Sequence, residues 1–364
     1  MATIKSVLYR NFTNIIGKKT TRKIVVFESD DWGSIRMPSR KVYDYLLKEG
    51  VRVDKGIYSK NDSLESAADL MNLFDVLMRY SDKNSNHPVI TANAVMANPD
   101  FDKIKSDDFS IYHYELFFDT YERYYSGKKQ MLELWDNGIK EHIFIPQFHG
   151  REHYRVDNWM SSLYEKNEQE LKFFDLGIVG QISKESGKGS NYLIVLKAKT
   201  EKDIEKDNDK LVEGLNLFEQ MFKFRSKTFI APCYTWSPLH EEALYKMGVS
   251  HIQGLSLQQV PYARPKFHYM GMKNRLGQKY LVRNAFFEPV SDSNAVENCL
   301  QRISNAFLWH TPAIVSVHRV NFCGEIFENN RTENLRKLDR LLSEIVKRWP
   351  DVEFMSSDQL ADII

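Results

Sequence analysis

Short apolar runs alternate with helical patterns along almost the whole chain. Runs at residues 24–27, 88–92, 143–147, 192–196, 227–230, 280–282, 313–317 and 352–354 predict strands. Between them, apolar residues recur at helical spacing, as Leu70, Leu73, Phe74 and Leu77 do. Such alternation is typical of parallel strands that are joined by crossover helices.

We therefore predict an α/β protein, a distorted (β/α) barrel with about seven parallel strands. An open doubly wound sheet is the alternative. No linker rich in Pro, Gly or Ser and no internal repeat divides the sequence, so we expect one catalytic domain over residues 1–364. The long, aromatic and weakly periodic stretch 98–125 is predicted to be a lid or an insertion over the site.

Several polar residues mark where helices begin and end. Ser39 before residues 41–48, and Ser237-Pro238 before residues 239–247, have the character of helix starts. Gly248 is typical of a helix stop. The charge-dense run 199–210 is interpreted as the solvated start of a helix.

Composition narrows the classes of function. The net charge of +1, from 50 basic and 49 acidic residues, gives no reason to expect a nucleic-acid partner. The sequence contains no apolar run of about 18 residues, so we expect no membrane span. Cys233, Cys299 and Cys323 form no disulfide framework, and residues 1–23 lack a signal-peptide pattern, so a cytoplasmic location is expected. Nothing in the sequence specifies an oligomeric state.

Three segments that follow predicted strands carry candidate chemistry. Asp30 and Asp31 stand shortly after the first run, His149 and His153 after the third, and His318 directly after residues 313–317. In α/β folds the carboxyl ends of the strands form the edge where active sites are built. We therefore expect these side chains to meet.

Their residue types suit one hydrolytic metal site. Adjacent carboxylates on an extended backbone point in different directions, so Asp31 can bind a metal while Asp30 moves protons. On a helix, His149 and His153 would lie on one face, and neutral imidazole suits Zn²⁺, Co²⁺ or Ni²⁺. Three protein ligands leave the open position that a catalytic zinc site requires.

Each motif also has an ordinary explanation when it is taken alone. Asp30-Asp31 could be a solvated turn, His149 and His153 two surface histidines, and His318 a structural histidine. The recurrence of such residues at three strand ends is what favours a functional site.

The order of these motifs resembles that of the polysaccharide deacetylase family, carbohydrate esterase family 4. The resemblance covers residues 24–318, with Asp-Asp-x-Gly, then His-x-x-x-His, then a strand leading to Pro232, then the late His318. It implies a distorted (β/α) barrel that removes acetyl groups from N-acetylated sugars.

The same resemblance implies roles for individual residues. Asp30 matches the catalytic base and His318 the general acid, while Asp31, His149 and His153 match a metal triad that most often holds Zn²⁺. Other residues match positions that line the sugar groove, or supply a backbone N–H to the oxyanion, or stack on a sugar ring: Trp32, Pro232, Cys233, Tyr234 and Trp236.

The chain departs from the family pattern at two places near the proline. Ile230 stands where the family has an arginine that orients the catalytic aspartate, and Cys233 stands where an aromatic residue is expected. Arg36, Arg151 and Arg283 are candidate substitutes for that arginine. No clear match exists to the family's Asp-and-Trp motif, which tunes the late histidine.

The sequence therefore predicts a metal-dependent carbohydrate deacetylase that acts on N-acetylated sugars or polysaccharide precursors, with O-acetylated sugars as the alternative substrates. A glycoside hydrolase on a related barrel is one alternative, with Glu28, Asp30 and Glu152 as available carboxyl groups. A sugar-binding homologue that has lost turnover is the other, and the absence of arginine at Ile230 favours it.

Overall fold

The computed structural model describes residues 11–180 and 192–364. Its strands are β1 (Lys23–Trp32), β2 (Ile90–Ala94), β3 (Ala97–Pro99), β4 (Tyr114–Leu116), β5 (Phe144–Phe148), β6 (Thr228–Ile230), β7 (His251–Gly254), β8 (Leu257–Gln258), β9 (Lys266–Phe267), β10 (Lys279–Val282), β11 (Ala285–Phe286), β12 (Ala313–His318) and β13 (Val352–Phe354).

Helices occupy most of the connections between these strands. They are Arg40–Lys48, Ile57–Asn61, Ala67–Met78, Phe101–Ser106, Phe117–Tyr125, Lys128–Lys140, Val156–Tyr164, Glu168–Asp175, Glu201–Phe222, Glu241–Lys246, Ala295–Leu308, Glu328–Arg348 and Ser357–Ile363. Among the described residues, no helix combines the length and the apolar character needed to cross a membrane.

The main sheet is parallel and runs in the order β10-β7-β6-β5-β2-β1-β12-β11, with β13 beside the start of β1. Only Arg283 and Asn284 separate its two ends, β10 and β11. The backbone N–H of Arg283 donates to the carbonyl of Gly254 on β7, and that of Asn284 donates to Ile314 on β12. Consecutive residues therefore bond to opposite edges of the sheet, which closes it into a barrel.

Counting β10 and β11 as one segment, the barrel wall consists of β1, β2, β5, β6, β7, β10–β11 and β12. The predicted (β/α) barrel of about seven parallel strands is thus confirmed. The open doubly wound sheet does not fit the pairing of Arg283 and Asn284.

Alternation along β1 separates the lumen of the barrel from its helical coat. Ile24 and Val26 pack with Leu281 and Ile314 on the inner side, at the amino end of the barrel. Val25 and Phe27 join the large outer cluster that includes the helix residues. Since side chains on a strand alternate between its two faces, Glu28 and Asp30 continue the inner row. The lumen is therefore apolar at its amino end and polar at its carboxyl end.

The polar and glycine residues that were predicted to begin or end helices do so at several positions. The side chain of Ser39 accepts from the amide of Val42 at the start of Arg40–Lys48. Thr200 and Asp203 form a capping box at the start of Glu201–Phe222, where the charge-dense run lies. Gly248 has φ +93°, which suits the end of a helix. The helix that was expected from residue 239 begins at Glu241.

One strand prediction is wrong, and two strands of the main sheet, β7 and β11, were not predicted. Residues 192–196 form no strand, although Tyr192 and Leu196 are buried in apolar clusters. A short apolar run satisfies a core packing site as well as a sheet, and periodicity cannot separate the two. The missed strand β7 contains His251 and Gln253, whose polar side chains hid its buried position.

The stretch 98–125 contains a small hairpin and two helices. β3 pairs antiparallel with β4, the helix Phe101–Ser106 lies in the connection between them, and the helix Phe117–Tyr125 follows β4. The segment connects β2 to the helix Lys128–Lys140 on the carboxyl side of the sheet. Its role as a lid remains a prediction.

Candidate active site

Asp30 lies in the polar end of the lumen and is held there by Arg283. The two guanidinium nitrogens of Arg283 donate to the two oxygens of Asp30, at 2.6 and 2.7 Å. Arg283 Nε also donates to Glu28 at 2.6 Å, and Asn93 Nδ2 donates to Asp30 at 2.8 Å. Asp30 is therefore fixed in orientation by a bidentate contact.

This environment keeps Asp30 ionised. Burial by itself would raise the pKa of the carboxyl, but the charge and hydrogen bonds of Arg283 outweigh it and lower the pKa to about 2. Of the three candidate substitutes for the family's arginine, Arg283 is the one that contacts Asp30. Arg151 pairs instead with Glu152 and Glu213.

Asp31 leaves the strand alternation and turns towards the histidines. Its φ is +77°, a left-handed conformation that Asp tolerates better than most residues, and the β1–β2 register shifts between Ser29 and Trp32. Irregularities of this kind re-aim a side chain. As a result Asp31 Oδ1 lies 3.1 Å from His153 Nε2 and 3.5 Å from His149 Nε2.

The two histidines meet across a loop, because the next helix begins only at Val156. The expectation that a helix brings the two histidines onto one face is therefore wrong. The two rings still lie close together, with their centroids 4.9 Å apart. Gly150 between them has φ +118°, which bends the loop back.

A hydrogen bond fixes the tautomer of His149. Its Nδ1 lies 2.9 Å from the carbonyl oxygen of Ile230, so Nδ1 carries the proton and donates. Nε2 then presents a lone pair towards Asp31 Oδ1. In the described part of the chain this buried Nε2 has no hydrogen-bond partner. A metal ion or a proton between this nitrogen and the carboxylate oxygen would satisfy both.

The three side chains fit a divalent metal. One ligand atom from each of Asp31, His149 and His153 lies within 4.8 Å of the others, and all three residues are buried. Burial lowers the pKa of His153 to about 3, so its imidazole is neutral and can coordinate. One carboxylate and two neutral imidazoles suit Zn²⁺, Co²⁺ or Ni²⁺.

His318 stands on the other side of Asp30, at the end of β12. Its Nε2 lies 3.9 Å from Asp30 Oδ2, and its Nδ1 lies 2.5 Å from Glu288 Oε1. Burial would lower the pKa of His318, but the Glu288 carboxylate outweighs it and raises the pKa to about 9. The side chain is therefore a protonated acid at neutral pH, with about a quarter of its surface exposed.

The turn after β6 lies beside the histidine loop and beside the Asp30–Arg283 pair. Pro232 is close to Gly150, and the hydroxyl of Tyr234 accepts from Arg283 at 3.0 Å. Cys233 and Tyr234 both have positive φ, at 54° and 52°, and the Cys233 side chain is exposed. The amide of Tyr234 donates to Ala231 inside the turn. Pro232, Cys233 and Tyr234 thus border the site.

Trp32 and Trp236 do not face a cleft. Trp32 is fully buried, donates its indole N–H to Ser29 and packs edge-on against Phe144. Trp236 is about 1% exposed and donates to Glu241. Neither ring presents a face to solvent, so the expected stacking on a sugar finds no support here.

Sequence reasoning missed Glu288 and left Arg283 as one of three choices. Arg283 directly follows the predicted strand 280–282, and Glu288 follows β11 by two residues. The strand-end rule that found Asp30 and His318 would have selected Arg283, whereas Glu288 follows a strand that the sequence did not predict.

Comparisons with known proteins give a likeness of fold. No family model matches the chain, and neither does any curated protein. Among solved structures, a probable polysaccharide deacetylase from Pseudomonas aeruginosa PAO1 is 10% identical, with 94% of this chain and 91% of that chain covered and a TM-score of 0.45.

Other similar structures differ in what they are described as doing. A carbohydrate esterase family 4 pseudoenzyme from Bacillus anthracis is 9% identical, covering 94% of this chain and 66% of that one, with a TM-score of 0.39. The 4-alpha-glucanotransferase from Thermococcus litoralis is 8% identical, covering 94% and 40%, with a TM-score of 0.46.

The fold is similar to that of polysaccharide deacetylases. At identities of 10% or less and TM-scores below 0.5, such likeness carries no information about chemistry. Function therefore has to be inferred from the side chains of this chain.

Proposed function

We propose that the protein is a metal-dependent hydrolase that removes acetyl groups from N-acetylated sugars, with O-acetyl esters as the alternative substrate class. The observation that carries the proposal is the juxtaposition of a buried Asp31-His149-His153 cluster with a fixed carboxylate, Asp30. Next to that carboxylate stands a protonated imidazole, His318. A Lewis acid, a base and an acid placed together in this way suit the hydrolysis of an amide.

Asp31, His149 and His153 would hold the metal, and their donor set suits Zn²⁺. When bound, a divalent cation polarises the acetyl carbonyl and lowers the pKa of water.

Asp30 is placed to accept the proton of the attacking water, since Arg283 holds its two oxygens in a fixed direction. Its low pKa keeps it available as a carboxylate over the whole neutral range. Arg283 itself stays charged, because it lies between Glu28 and Asp30. Proton removal is therefore assigned to Asp30 and its orientation to Arg283.

His318 is placed to donate a proton to the leaving amine. Glu288 stabilises its charged form, so the acid is loaded before the carbon–nitrogen bond breaks. The turn Pro232–Tyr234 lies next to the metal ligands, and the N–H of Cys233 is the candidate donor to the oxyanion, because Pro232 has no N–H and that of Tyr234 donates to Ala231.

The two alternatives have less support. A glycoside hydrolase needs two carboxyl groups that flank the scissile bond, and it would leave the buried Asp31, His149 and His153 cluster without a role. A homologue without turnover was favoured by Ile230, yet Arg283 meets the need for a guanidinium at Asp30.

Substitution of the base tests the proposal. Asp30→Asn should reduce acetate release from N-acetylated oligosaccharides by about 10² to 10⁴, the usual contribution of a general base. Metal content, measured by elemental analysis, should stay near that of the unsubstituted protein. Full activity in Asp30→Asn, or release of reducing sugar in place of acetate, would rule out the assigned mechanism.

A further inference from the structure

Arg36 is a charged group at the metal cluster that belongs to none of the motifs. Its Nη2 lies 3.3 Å from Asp31 Oδ2 and 3.5 Å from His153 Nδ1. Asp31 Oδ1, by contrast, faces Nε2 of both His149 and His153. The two oxygens of one carboxylate therefore have different partners, a guanidinium on one side and the metal ligands on the other.

A buried ionic network holds Arg36 in this place. Its Nε lies 3.4 Å from Asp62 Oδ2, and its guanidinium lies 5.4 Å from the centre of the Tyr58 ring. Asp62 is fully buried and accepts from Arg319 Nη2 at 2.9 Å. Arg319, also fully buried, contacts Glu65 at 2.8 Å. Moving Arg36 would therefore leave Asp62 with less positive charge beside it, which is costly in a buried position.

We propose that Arg36 restricts Asp31 to one coordinating oxygen and so keeps a position at the metal open for water and substrate. This inference rests on the proposed function, because an open position matters only where a reaction takes place. Carboxylates can coordinate through one or both oxygens. A guanidinium stays charged and has several donors, so it occupies Oδ2 of Asp31 at every working pH.

The same contact has a cost in metal affinity. A positive charge a few ångströms from a divalent cation opposes its binding, and Asp62 offsets that charge only in part. Arg36 is thus a positioning residue that gives up some affinity to preserve a free coordination position. Its removal should free the second oxygen of Asp31 and make the cluster more negative.

Metal binding measured without substrate tests this inference. In full-length Arg36→Gln, competition with a chelator should show a Kd for Zn²⁺ that is lower by about tenfold or more, at the scale of outer-sphere effects on metal sites. The Co²⁺-loaded variant should have a weaker visible absorption band than the unsubstituted protein, because a higher coordination number weakens that band. Both readouts are independent of turnover.

Arg151→Gln is the matched control. Arg151 lies between the two histidines in sequence, and its substitution removes the same charge as Arg36→Gln does. Its side chain contacts Glu152 and Glu213 rather than a metal ligand. Its Zn²⁺ affinity and Co²⁺ band should match those of the unsubstituted protein. Unchanged or weaker Zn²⁺ binding in Arg36→Gln, or an equal change in Arg151→Gln, would overturn the inference.

A second variant covers a failure of Arg36→Gln to fold. Lysine keeps the charge but cannot reach Asp31 and Asp62 together, so Arg36→Lys should change the Co²⁺ band in the same direction and by less. A band identical to that of the unsubstituted protein would count against the inference. Should the unsubstituted protein bind metal and release no acetate, the proposed function fails, while the contrast between Arg36→Gln and Arg151→Gln still decides the role of Arg36.

Discussion

The two halves of the candidate site are built in different ways. The metal half consists of Asp31, His149 and His153, which come from two short motifs at the ends of neighbouring parts of the barrel. The proton half joins Asp30 on β1 to residues of the β10–β12 region across the barrel closure. The first half joins two motifs that short internal spacings reveal in the sequence, whereas the second depends on strand pairing that no short spacing shows.

This difference teaches where function can change most easily. Each metal ligand acts on the ion itself, so the loss of one ligand removes a whole function. In the proton half, Arg283 and Glu288 act through Asp30 and His318, and so their replacement should weaken the chemistry by degrees. Substitutions in the two halves should therefore differ in metal content as well as in rate.

The largest effect is expected from His149→Ala. Removal of this imidazole takes away one of three ligands, so bound metal should fall from about one equivalent to near zero, and acetate release by about 10³-fold or more. Elemental analysis and an acetate assay measure the two quantities. His113→Ala is the control, since His113 pairs with Asp107 and belongs to no ligand cluster among the described residues. Retention of the metal in His149→Ala would break the distinction between the halves.

A smaller loss is expected from Arg283→Lys. Lysine keeps a positive charge between Glu28 and Asp30 but cannot make the bidentate contact, so Asp30 should be misaligned and kcat should fall by about 10²-fold. Metal content should not change. Arg302→Lys, on the helix outside β11, serves as a control for the same replacement at a neighbouring site. A parallel loss of metal and rate in Arg283→Lys would mean that the halves are not separable.

The smallest change is expected from Glu288→Gln, and it should depend on pH. The carboxylate of Glu288 raises the pKa of His318 to about 9, so the proton on His318 is present below that pH and is lost as the pH rises through it. Without the charge, the pKa of His318 should fall by about one to three units.

The profile of kcat against pH therefore measures the contribution of Glu288. The alkaline limb should move to lower pH, with little change in rate near pH 6 and a loss of about tenfold near pH 8. Glu297→Gln is the control, because Glu297 pairs with Arg340 on the surface. An alkaline limb at the same pH in both variants would remove Glu288 from the proton half.

The sequence was sufficient for the parts of the site that depend on short spacings. Alternating periodicity predicted the barrel, and the strand-end rule predicted that Asp31, His149 and His153 would meet. The mechanism of that meeting could not be predicted. It depends on the positive φ of Asp31 and on a loop, not a helix, between the histidines.

Other parts depend on distances that no spacing encodes. Arg283 and Asp30 are more than two hundred residues apart, and only the closure of the barrel brings them within hydrogen-bonding distance. The prediction that Trp32 stacks on a sugar rested on its position beside Asp31 in the sequence. In the structure its ring is buried in the core against Phe144. Residue type alone cannot distinguish a stacking platform from a packing residue.

The segment that closes the barrel has one further consequence. Arg283 uses its backbone to bond β7 and its side chain to orient Asp30, and its neighbour Asn284 completes the seam on β12. Arg283 therefore contributes both to the closure of the barrel and to the orientation of Asp30. If heat or a distant substitution disrupted the hydrogen bonds at this seam, we expect the rate of the reaction to fall before the protein unfolds.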